Sequence, residues 1–388
     1  MDLSGLRVLD LSRLLPGPFA TQLLCDMGAD VIKVEQPGIG DYAREMTAAG
    51  GRTGVFGAVN RGKRSVAIDL DDADGRAAFF RLVEDADVVF EQFRPGTVEK
   101  LGVGYEAVQA VNPEVVYCSL SGYGTAGPNR DRAGHDLNYL GLAGFLDLTR
   151  PAADESPVIP GYPVADMAGG VFATCSILGA LLSRALGHGG EHVSVAMADV
   201  VLAFSQGIAH EAFRGARPQA GETALTGRYP CYDIYETADG RYLTLAALEP
   251  AFFEAFCEEI GRPELAARHL SADPAERATV RAVIASAIRD RSREEWVERL
   301  GEVDVMAAPV NTLEEALSHP QFEGRGRVVD DGPVPRVGFP ADSTGGLGGH
   351  DGGIPDRGEH TVQVLRDHGY DEATIDALGE RGVIETPT

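Results

Sequence analysis

Two short apolar runs, Leu6-Arg7-Val8-Leu9 and Val31-Ile32-Lys33-Val34, bracket a segment whose apolar residues keep helical spacing. This alternation limits the fold more than any other feature of the chain. Pro16 and Pro18 suit the start of the intervening helix, and Gly28 suits its stop. Phe19, Leu23, Leu24 and Met27 form its apolar stripe. The pattern recurs, with a helix expected over 74–82 and strands at 88–90 and 115–118. Strands that alternate with helices call for a parallel sheet covered on both faces, so the expected class is α/β.

A different architecture follows a helix expected at 196–213. Tyr232-Asp233-Ile234-Tyr235 and Tyr242-Leu243-Thr244-Leu245 flank Ala238-Asp239-Gly240, the signature of a hairpin. Two capping boxes come next, at Asp273-Pro274-Ala275-Glu276 and at Ser292-Arg293-Glu294-Glu295. At 388 residues the chain has room for about two domains. The large one is expected over 1–224 and is completed by 330–388. A smaller α+β domain is expected over 225–325, a Gly-, Pro- and Asp-rich linker over 326–355, and a short last helix near 363–368. The most apolar stretch, 169–183, is too short to span a membrane and reads as a buried helix.

Charge narrows the function. With 59 acidic and 34 basic residues, the formal net charge is −25. Such a surface repels phosphate backbones and anionic lipid, so neither nucleic acid nor membrane is an expected partner. Lys33, Lys63 and Lys100 are the only lysines. This arginine bias fits a protein kept soluble in high salt, or one encoded by a GC-rich genome. Cys25, Cys118, Cys175, Cys231 and Cys257 are odd in number and widely spaced, without a CxxC pair. That usage fits a reducing cytoplasm rather than a disulfide framework or a zinc site. No export signal is expected from a start that reads MDLSGLRVLDLS.

Three places have residue types that could carry chemistry. His135, beside Asp136 in a loop after the Gly- and Pro-rich stretch 122–128, has what a general base with an orienting acid needs. It also fits an ordinary packing histidine. Asp166, just ahead of the most apolar helix, fits an N-cap. It equally fits a carboxylate facing a substrate, with helix-start N–H groups nearby to stabilise an oxyanion or enolate. Glu249-Pro250 follows the second hairpin strand and would not be singled out alone. Asn60-Arg61-Gly62-Lys63-Arg64-Ser65 is a basic island in a −25 chain, and a phosphate-bearing ligand is the simplest reason for it. Arg94 adds a cation at a strand's carboxyl end, where α/β sheets bind ligands.

With these residues laid out, the chain resembles the family III CoA-transferase group, the carnitine CoA-transferase and bile-acid-inducible F (CaiB/BaiF) relatives. Within that group it looks most like the α-methylacyl-CoA racemases. The resemblance runs through LSGLRVLDLSRLLPGPFATQLLCDMGADVIKVEQPG, NRGKRSVAIDL, FEQFRPGTVEKLGVG and SGYGTAGPNRDRAGHDLNYL. It continues through PVADMAGG, YDIYETADGRYLTLAALEP and GEHTVQVLRDHGY. The GHD triplet and the Glu of the EP pair are the racemase-like marks, whereas the Asp of PVADMAGG is common to both activities.

The resemblance implies catalytic roles for His135, Asp136, Asp166 and Glu249. It implies CoA contacts at Lys63, Arg64 and Arg94, with Tyr232 near the acyl-pantetheine passage. It further implies a large Rossmann-like domain, a small α+β domain, an interlocked homodimer and an acyl-CoA substrate. CoA arrives as part of that substrate, and no metal or redox cofactor is required. In a racemase, two bases exchange the α-proton of a thioester through an enolate, His135 and Asp166 acting in opposite protonation states with Glu249 orienting His135. In a CoA-transferase, Asp166 instead attacks the acyl carbonyl and an aspartyl-CoA thioester follows.

Overall fold

The computed structural model describes residues 1–46, 53–152, 154–330, 332, 334–349 and 352–386. Six strands follow the alternation read from the sequence: β1 (Arg7–Asp10), β2 (Asp30–Glu35), β3 (Arg64–Ile68), β4 (Val88–Glu91), β5 (Val116–Ser121) and β6 (His192–Ala196). They are parallel and lie in the order β3-β2-β1-β4-β5-β6. The C-terminal strand Ile384–Glu385 pairs antiparallel to β3. Val88, Val89 and Phe90 are successive and all fully buried, as a strand covered on both faces requires. The α/β class expected from the sequence is the class observed.

The chain runs from β1 to β2 and β3 on one side, then returns to place β4 on the other side of β1. Crossovers that leave a strand in opposite directions open a crevice at the carboxyl ends of β1 and β4. The helix Pro16–Asp26, with Pro at its first turn, starts beside that crevice. It packs along the longer helix Val164–Ser183. Their contact is close because Gly170 has no side chain: a Cβ there would lie 2.7 Å from the Pro16 carbonyl oxygen. The long helix exceeds the fifteen-residue apolar stretch seen in the sequence, and its buried face includes Ala165, Gly169, Ala173, Ile177 and Ala180.

The chain forms two units. The first comprises Met1–Phe145, Pro160–Ser205 and Gly326–Thr388, so the C-terminal residues complete it. The second comprises Leu146–Ile159 and Gln206–Arg325. The boundary expected at 224/225 falls instead at Ser205, where the single helix expected over 196–213 splits into Met197–Ala203 and Gln206–Phe213. A hairpin marks where a new sheet begins, not where the chain leaves the old domain. Within the expected linker, residues 331, 333, 350 and 351 lie outside the described residues, and the rest belongs to the first unit. In the second unit, β7 (Tyr232–Glu236), β8 (Tyr242–Ala246) and β9 (Ala307–Pro309) form an antiparallel sheet. Trp296 is fully buried there and donates its indole N–H to the Ile288 carbonyl. The Ser292–Glu295 capping box is present. Asp273 caps its helix as expected, but Glu276 accepts from the Ser271 hydroxyl instead of closing the box.

Two of the three lysines serve the interior of the first unit. Lys63 Nζ lies 3.0 Å from Asp10 Oδ2 and also donates to Thr21, Asn60 and the Pro18 carbonyl. Lys33 Nζ lies 2.9 Å from Asp41 Oδ2 and donates to the Ser12 carbonyl. All four ionic side chains are fully buried. Burial works against the Asp10 charge, but Lys63 and Lys33 overcome it and hold its carboxyl well below the usual range. Removing one partner of such a pair costs about 3–5 kcal/mol, because the other charge is stranded out of water.

Candidate active site

A cavity of 460 Å³ sits in the crevice, walled by residues that follow β1, β4, β5 and β6 at their carboxyl ends, among them Leu14, Gln92, Tyr123 and Met197. His135 and Asp166 both line it. All the lining residues belong to the first unit.

Asp166 is not an N-cap. The helix starts at Val164, and Asp166 lies inside its first turn. The capping is done by Asp136, whose Oδ1 accepts from the N–H groups of Ala165 and Asp166 at 2.6 and 3.1 Å. This arrangement leaves the Asp166 carboxyl to the cavity. It also corrects two expectations. Asp136 is spent on a helix end rather than on the His135 ring, and the helix-start N–H groups expected to hold an enolate are already bonded to a carboxylate. What remains for a developing anion is the positive end of the helix dipole.

The Asp166 carboxyl is half-buried and pushed up to about 6. Burial is the main cause, the neighbouring Asp136 charge adds to it, and His135 pulls the other way. A carboxyl held near neutrality can give a proton as readily as take one. Asp136→Asn keeps an oxygen for the two N–H groups but removes the charge that raises Asp166. The Asp166 pKa is then expected to fall, and the acid limb of the kcat/KM profile to move to lower pH. An unchanged limb would mean that Asp136 has no electrostatic role.

The His135 loop is held against β5 by an aromatic wedge. Tyr139 is buried, donates its hydroxyl to the Gly134 carbonyl, and meets Tyr123 edge-on at 5.0 Å. Gly122 makes room for it: a Cβ there would lie 2.4 Å from the Tyr139 hydroxyl. The His135 N–H donates to the Asn138 side chain, fixing the start of the helix Asp136–Leu142.

The structure separates the basic residues read together from the sequence. Lys63 is no CoA contact, since its ammonium is consumed by Asp10 and three other acceptors. Arg64 opens β3 and grips Asp30 with two nitrogens, at the amino-terminal edge of the sheet rather than the ligand edge. Arg94 does line the cavity, and three arginines that sequence reasoning passed over join it there: Arg13, Arg130 and Arg132. Arg13 had a readable signal, because it comes three residues after the end of β1.

Glu249 and Tyr232 lie in the second unit. Glu249 is the exposed N-cap residue of the helix Pro250–Glu259, without a side-chain capping bond. Tyr232 opens β7, opposite Ala246.

The profile described as CoA-transferase family III matches residues 3–361. The chain is similar to the succinate–glutarate CoA-transferase of Agrobacterium fabrum, at 34% identity across 94% of each chain. It is likewise similar to the α-methylacyl-CoA racemase of Mus musculus, at 33% identity across 100% of this chain and 98% of that one. Among solved structures, a CaiB/BaiF family protein from Brucella suis superposes with a TM-score of 0.80. That protein is 32% identical, over 94% of this chain and 99% of its own.

Proposed function

The chain belongs to CoA-transferase family III, and from that membership we propose that it epimerises 2-methylacyl-CoA thioesters at the α-carbon. The family is one of enzymes, holding both racemases and CoA-transferases. The observation that carries the finer reading is a carboxyl and an imidazole on one cavity, with the carboxyl raised to about 6.

The imidazole of His135 takes the α-proton from one face of the thioester, and the C–H electron pair passes into the enolate. The Asp166 carboxyl returns a proton to the opposite face, becoming a carboxylate beside the imidazolium. The reverse reaction starts from that second state. The two groups thus share one proton, which requires pKa values close enough to exchange it. The cavity's arginines and the helix dipole favour the enolate's negative charge. Arg94 is assigned to CoA, which enters as part of the substrate. The resemblance adds roles for Glu249 and Tyr232 in substrate handling, and assembly as a homodimer.

A second reading is kept because Asp166 would serve CoA transfer equally, and a CoA-transferase is 34% identical to this chain. The test supplies one epimer of a 2-methylacyl-CoA without any acceptor acid. Appearance of the other epimer is the expected result. Inertness until a free carboxylic acid is added, followed by movement of CoA onto it, would make transfer the activity.

A further inference from the structure

The four arginines of the cavity are not equivalent. Arg94, Arg130 and Arg132 are exposed, and Arg130 pairs with Asp131 at 3.3 Å. Arg13 is half-buried and has no carboxylate partner among the described residues. Its guanidinium lies 5.2 Å from the ring centroids of both Tyr42 and Phe93, and one nitrogen reaches the Tyr42 hydroxyl at 3.3 Å. A half-buried guanidinium without a carboxylate is conspicuous in a chain with 59 acidic residues. Elsewhere in the first unit Arg7, Arg44, Arg61, Arg64 and Arg184 each grip a carboxylate. Five N–H donors backed by two aromatic faces suit bidentate capture of an anion from the cavity.

The backbone on both sides of Arg13 is clamped. The Ser12 N–H and hydroxyl donate to Asp10, and the Ser12 carbonyl accepts from Lys33. Leu14 adopts φ 67°, a left-handed conformation costly for a branched side chain, and its N–H donates to Asp41 at 2.9 Å. The buried pairs Lys63–Asp10 and Lys33–Asp41 therefore hold a strained loop in place. Strain maintained by buried charges next to a cavity is the mark of a preorganised side chain. The position is also telling. Arg13 lies three residues before Pro16, whose carbonyl touches the long helix at Gly170, one turn below Asp166.

We propose that Arg13 binds a second carboxylate at the far end of the acyl chain, so that the preferred substrate is the CoA thioester of a 2-methyl dicarboxylic acid. This rests on reading the cavity as an acyl-CoA site. The exposed arginines are left for the phosphates of CoA, and the half-buried Arg13, which shares the cavity with Asp166, reads the acyl group.

The experiment compares kcat/KM for matched pairs of thioesters. These run from 2-methylsuccinyl- to 2-methyladipyl-CoA, each against the monocarboxyl thioester of equal chain length, from 2-methylbutanoyl- to 2-methylhexanoyl-CoA. Wild type is expected to favour the dicarboxyl member at one length by about 100-fold, the scale of a desolvated charge pair. Arg13→Leu should collapse that ratio, and Arg13→Lys should restore part of it. A ratio is insensitive to how much of a variant is folded. An equal loss for both members of the pair, with weaker binding of free CoA, would overturn the proposal and assign Arg13 to a CoA phosphate. A wild type with no preference at any length would overturn it too. Failure of the wild type to bind CoA or turn over any thioester would be distinguishable from both, and would remove the acyl-CoA reading itself.

Discussion

Asp166→Asn is expected to lower epimerisation by about 10³-fold, the scale of a lost acid–base group, while making the protein more stable near neutral pH. The two effects have one cause. The carboxyl holds its proton up to about 6 in the folded chain, against an ordinary value of 3.8, so the folded state binds that proton more tightly than the unfolded state. Stability contributed by this group therefore falls as pH rises between those values, and the full penalty applies above about pH 6. Asn does not ionise and escapes the penalty. The variant should melt above wild type at pH 7 and match it below about pH 4. Thermal melts at the two pH values, together with the rate, check both. A slow variant that melts lower at pH 7 would show that the carboxylate is structural.

The second large effect is at His135. His135→Gln is expected to abolish epimerisation, with a loss of about 10²- to 10⁴-fold, but not all proton exchange. Asp166 still faces one side of the α-carbon, so one epimer should continue to exchange its α-proton with solvent while its partner does not. CoA transfer needs the carboxylate alone and would pass unharmed through this substitution. Full epimerisation by the variant would remove the two-base scheme.

Most of the fold could be read because its signals are local. The spacing of Phe19, Leu23, Leu24 and Met27 and the run Val88-Val89-Phe90 each depend on residues a few positions apart. The observed helix Pro16–Asp26 and β4 match them. Of the candidate site, the two motif residues His135 and Asp166 were readable locally, and both line one cavity. Assignments failed where a partner lay far along the chain. The basic island at 60–65 drew a ligand reading that hid β3, because the charge partner of Lys63 is Asp10, 53 residues earlier. The choice between cap and catalyst at Asp166 could not be made locally either, since the cap comes from Asp136, 30 residues earlier. The open end of the Asp273 capping box shows the same limit at short range. Ser271 competed for Glu276, and the spacing rule does not register competitors.

Whether His135 and Asp166 exchange an α-proton through an enolate can be read by proton NMR in deuterium oxide. One epimer of a 2-methylacyl-CoA is incubated with the enzyme and no acceptor acid. The expected result is loss of the α-proton signal, collapse of the methyl doublet as deuterium enters, and growth of the other epimer. A retained α-proton, with CoA moving only once a free carboxylic acid is supplied, would contradict it and leave Asp166 as a nucleophile.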